Sequence, residues 1–199
     1  MKHKRTLLCI VIALLLLLCL SVWKNVDDAS QEKQKNKWLL TEAYPALLNI
    51  SEDLGFVLNK AAELPGSHEA CALRLNTAAN QFAQLQVLFR VYQEQVPVGY
   101  SGLPFSSFEQ FSFLLTYTSV TVDGRDYNGI LTDDSISEGE IQYLTRLKND
   151  VDFLILEMTS DEGSFHDEIM THELQFALRS FFEVWTSHNR NRDNPLYLL

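Results

Sequence analysis

The sequence predicts an all-α protein, in which a single N-terminal transmembrane helix is followed by an antiparallel four- or five-helix bundle. Three observations predict it. An uncharged apolar segment opens the chain, several later stretches repeat apolar residues at alternating steps of three and four, and few stretches suit a strand. We therefore divide the chain into an anchor (1–24), a polar juxtamembrane linker (25–36), a helical bundle domain (37–189) and a C-terminal tail (190–199).

The apolar segment, residues 6–23, is predicted to be the contact with the membrane. It contains no charged residue, and its length suits a helical span, which needs about 20 residues. Lys2, Lys4 and Arg5 precede it, and positive residues stay on the cytoplasmic side. We expect a single-pass protein with a cytoplasmic N-terminus and an extracytoplasmic domain. The alternative is a signal peptide cleaved after Cys19-Leu20-Ser21, which would release a secreted domain.

Charge is distributed unevenly along the chain. From Asn25 onward there are 12 basic and 26 acidic residues, a net charge of −14. Such a domain repels nucleic-acid phosphates and anionic lipid head groups. We therefore expect no nucleic-acid partner, and a protein of the membrane or cell envelope as the partner instead.

Two apolar seams predict a helical hairpin. The first seam has the members Leu40, Ala43, Leu47, Ile50, Leu54, Val57, Ala61 and Leu64, and the second has Cys71, Leu75, Ala78, Phe82, Leu85, Phe89, Tyr92 and Val96. Pro65-Gly66-Ser67 separates them, so the second helix is predicted at 68–95. Pro45 lies off the first seam and marks either a kink or the start of the first helix.

Capping boxes open two of the later helices. Ser106 with Glu109 begins a third helix, and Ser137 with Glu140 begins a fourth. We expect the third helix to end near Thr121. The alternative is a short hairpin within 116–127, because this stretch is rich in β-branched residues and Asp123-Gly124 suits a turn. A last helix is predicted to follow Ser164, with a seam that includes Ala177 and Phe181.

An aromatic cluster around the third helix is a candidate docking surface. Its members are Tyr100, Phe105, Phe108, Phe113 and Tyr117. They cover more than one face of the helix, so they need not all fit one interface. Packing in the core is the default expectation, because aromatic rings dominate core energetics, and the docking surface is the alternative.

No catalytic, cofactor-binding or metal-binding residues are predicted. The sequence contains no HExxH, CxxC, Gly-x-Ser-x-Gly or phosphate-binding glycine loop. Cys71 lies on an apolar seam, where a buried thiol is chemically inert.

The function that fits this pattern is a non-enzymatic, membrane-anchored extracytoplasmic helical protein with an interaction or regulatory role. The alternative is an extracytoplasmic ligand-binding or sensor module that works with a separate transducing partner. Some seams could instead face a second copy of the chain and form a homodimer.

Overall fold

One helix, α1 (Lys2–Lys60), runs through the predicted anchor, the predicted linker and the start of the bundle. The computed structural model describes residues 2–61, 66–95, 106–116, 120–122, 125–127, 129–130, 135–159 and 176–181. The side chains of residues 2–11, 13, 93–95, 106, 107 and 110 and of both strands lie outside this description. With 59 residues, α1 is about 90 Å long at ~1.5 Å per residue.

Residues 25–36, predicted as a linker, belong to α1 and are helical. Lys, Gln and Glu are good helix formers, and the first proline of the chain is Pro45. Pro45 itself lies inside α1, so the interpretation of this residue as the start of the helix is wrong.

No helix among the residues described with their side chains reaches the length and mean hydropathy that a membrane span requires. Part of the predicted span, residues 6–11 and 13, lies outside those residues.

Helix α2 (His68–Gln95) pairs antiparallel with α1, and the predicted bounds of this helix are confirmed. Two contacts fix the register, because Tyr92 bonds to Asn36 at one end and Arg74 bonds to Asp53 further along. Both predicted seams form the interface: their members from Leu40 to Val57 and from Cys71 to Tyr92 are buried.

Helix α3 (Ser106–Leu115) packs on α2, and helix α4 (Glu138–Glu157) packs on α1. The predicted capping box of α4 is present: Ser137 Oγ accepts a hydrogen bond from the Glu140 amide, and the Ser137 amide donates to Glu140 Oε2. Residues 176–181 are also helical. Ala177 and Phe181 are buried there, as the last seam predicts, while the Ser164 cap lies outside the described residues.

The expected extension of the third helix to Thr121 is wrong. Helix α3 ends at Leu115, and two short strands follow: β1 (Val120–Val122) and β2 (Arg125–Tyr127). They pair antiparallel, with Val120 opposite Tyr127 and Val122 opposite Arg125. The β-branched residues of this stretch lose side-chain freedom in a helix and fit a strand better. The described part of the chain is thus mainly helical, with the helices packed around one core and a single two-stranded ribbon.

Candidate interaction surface

The aromatic residues of α3 are part of the core. Phe108 is completely buried and its ring centroid lies 5.9 Å from that of Phe82, 5.5 Å from Phe89 and 6.0 Å from Phe181. These rings join α2, α3 and the segment 176–181. Of the predicted docking residues, Phe108 therefore faces the interior, where no surface partner reaches it.

The other predicted docking residues give no further support to an α3 surface. Phe113 is half-buried on α3. Tyr100, Phe105 and Tyr117 lie outside the described residues. The α3 docking surface thus stays a prediction for Phe113 and for those three residues.

A different concave surface lies between α1 and α2, and we call it the groove. It is an open depression of about 770 Å³. The residues that line it are Trp38, Glu42 and Ala46 of α1 and Asn80, Ala83, Gln84, Leu85, Val87, Leu88 and Val91 of α2. Three large apolar side chains in it are exposed to solvent: Val87 by 59%, Trp38 by 39% and Val91 by 37%. This combination of concavity and exposed apolar area is typical of interaction sites.

The groove lies on the side of the hairpin that α3 and α4 do not occupy. Helix α4 contacts α1 through Ser51, whose hydroxyl donates to Asp152, and Gly55 of α1 faces Lys148 of α4. Helix α3 contacts α2 through Phe82 and Phe89. These contacts use other faces of both helices than Trp38 and Val91 do. Ser51 follows Trp38 by thirteen positions, which is about 140° around α1, and Val91 follows Phe89 by two, which is about 160° around α2.

Two polar contacts, one buried and one partly buried, hold α1 and α2 together on either side of the groove. The hydroxyl of Tyr92 donates to Oδ1 of Asn36, and both side chains are buried. Further from the N-terminus, Arg74 Nη1 lies 2.7 Å from Oδ1 of the buried Asp53, with its guanidinium carbon 5.1 Å from the Phe56 ring centroid. Since buried polar groups need partners, these pairs fix how α2 sits against α1.

Sequence reasoning missed these two pairs, although a signal existed. Asn36 lies four positions before Leu40 on the first seam, and Asp53 lies three positions after Ile50. A polar residue at seam spacing indicates a buried polar group that needs a partner.

The polar network between α1 and α4 has a structural role. Asp152 accepts a hydrogen bond from Ser51 on one carboxylate oxygen, and Lys148 Nζ lies 2.5 Å from the other. The Asp152 carboxylate thus contacts both the Ser51 hydroxyl and the Lys148 ammonium, and its bond to Ser51 links the two helices.

Burial raises the pKa of Tyr143, on α4, well above its ordinary value near 10.

Two cysteines are described with their side chains as free thiols: Cys19 is exposed and Cys71 is buried. In the part of the chain that the structure describes, no three His, Cys, Asp or Glu side chains come together as a metal would require. Cys71 is buried on the α2 seam, as predicted, with its sulfur 3.9 Å from Ser67 Oγ.

Comparisons of this chain with protein-family models, with curated proteins and with solved structures give no match. Arguments about function therefore depend on the sequence and on the geometry above.

Proposed function

We propose that this chain is a non-enzymatic, single-pass membrane protein whose bundle domain is held outside the cytoplasm and binds other proteins of the membrane or envelope. The observation that carries the proposal is the continuity of α1. The same helix that is buried in the bundle from Leu39 to Val57 also carries the apolar N-terminal segment, with no break between them.

The exposure of that segment supports a membrane contact. Leu14 to Leu18, Leu20, Val22 and Trp23 are each between 55% and 69% exposed, on all sides of α1. Transfer of each such leucine from water to an apolar medium gains about 1.5–3 kcal/mol. An all-round apolar helix of this kind needs an apolar surrounding, and a bilayer supplies one.

The charges on either side of the segment support the orientation. Lys2, Lys4 and Arg5 precede it and Lys24 follows it, so the N-terminal side has the larger positive charge. Residues 24–34 then form an exposed helical stalk. Its length is about 16 Å at ~1.5 Å per residue, and it would hold the acidic bundle away from an anionic bilayer surface.

The interaction role is supported by how the polar residues are used. Three buried or bridging polar groups, Asp53, Asn36 and Asp152, are bonded to side chains of neighbouring helices. They fix the packing of the bundle, whereas the groove presents an apolar surface to solvent. Such a surface binds proteins rather than performing chemistry.

A topology experiment tests the proposal. In a chain with Cys9 and Cys19 replaced by alanine, Gln31→Cys is expected to react with a membrane-impermeant maleimide on intact cells, whereas His3→Cys reacts only after lysis. Cys71 is the internal control, since a buried thiol reacts only in the unfolded chain. Labelling of His3→Cys from outside, or recovery of the chain in the aqueous fraction, would refute the proposed placement. The mass of the purified chain shows whether the leader has been cleaved.

A ligand-binding or sensor module is the second candidate function. The groove volume of about 770 Å³ falls in the range of small-molecule sites. Such a module would show a reproducible thermal shift with one class of small molecule, and Trp38→Ala would abolish that shift. Capture of a membrane protein by crosslinking without any such ligand favours the first candidate.

A further inference from the structure

We draw no further inference here: the strongest candidate, the apolar groove between α1 and α2 that Trp38, Val87 and Val91 line, carries none, because nothing in the part of the chain that the structure describes shows what covers it.

Discussion

At the scale of single residues, the buried carboxylate of Asp53 is the most demanding group in the bundle. It is almost completely buried and its described partner is Arg74, whose side chain is half exposed. A buried charge that loses its partner retains its desolvation cost without compensation. This pair therefore makes the α1–α2 contact specific, even where its net contribution to stability is small.

Arg74→Met is expected to lower the free energy of unfolding by about 1–3 kcal/mol, since it leaves the Asp53 carboxylate buried without the guanidinium. Chemical denaturation measures the effect. Arg90→Met, the same change at an exposed position of α2, should stay within about 0.5 kcal/mol. Equal effects of the two substitutions would show that the Asp53 pair has no special role.

Because Tyr143 is buried, we expect the free energy of unfolding to fall at alkaline pH. Because burial raises its pKa, the native chain keeps the phenol proton above pH 10, whereas the unfolded chain releases it. The stabilisation is complete below pH 10. Above it, the free energy of unfolding falls by up to about 1.4 kcal/mol per pH unit for this one group.

Tyr143→Phe removes that proton. In denaturation curves between pH 9 and 11, its free energy of unfolding should fall less steeply with pH than that of the wild type. Parallel slopes for the two proteins would mean that the Tyr143 hydroxyl is not desolvated in the native state.

At the scale of elements, Gly55 is a site in α1 where an added side chain is expected to stabilise the helix. A Cβ there would lie 3.2 Å from Cε of Lys148, the flexible end of a side chain that can move by a few tenths of an ångström. Gly55→Ala should therefore raise the free energy of unfolding by about 0.5–1 kcal/mol, the usual gain for glycine to alanine within a helix.

Gly139→Ala is the matched control, in the first turn of α4, where the added Cβ meets Ser137 Oγ at 4.0 Å. It should gain less, because propensity has less effect at a helix end. A loss of stability on Gly55→Ala would show that the bond between Lys148 and Asp152 holds the lysine in place.

The helical seams could be predicted from the sequence because a helix that is buried on one side needs apolar residues at its own repeat of about 3.6 positions. The buried seam members from Leu40 to Met158 follow from that period, and the start of α2 follows from the break at Pro65-Gly66-Ser67. The strands β1 and β2 could not be assigned with the same certainty. A three-residue strand is too short to show a period, and only the β-branched composition distinguishes it from a helix end.

The groove could not be predicted for a different reason. The seam analysis assigns Leu85 and Phe89 to the core but does not show how α2 is rotated against α1. That rotation depends on pairs such as Asn36 with Tyr92, and it decides that Val87 and Val91 share a concavity with Trp38. The aromatic residues Phe108 and Phe111 of α3 lie in the core and not at the surface, because several rings close together in sequence are most readily buried against one another.

At the scale of the whole molecule, the length of α1 beyond the bundle separates two parts with different surroundings. The described side chains from Leu14 to Gln34 are exposed, and burial begins at Asn36. The exposed part contributes helix and apolar surface but no core contact, so the stability of the bundle should not depend on it.

Deletion of residues 1–30 tests this independence. The shortened chain retains Asn36 and every buried residue of the described core, so its thermal midpoint in water should match that of the full chain in mild detergent within about 3 °C, the shift expected from roughly 1 kcal/mol. Its circular dichroism should lose the helix signal of the deleted residues, and it should leave the membrane fraction for the aqueous one. A drop of the midpoint by more than about 10 °C would show that the bundle needs the N-terminal part of α1. That result would mean that the exposed segment is covered by the protein's own bundle, or by a second copy, instead of by lipid.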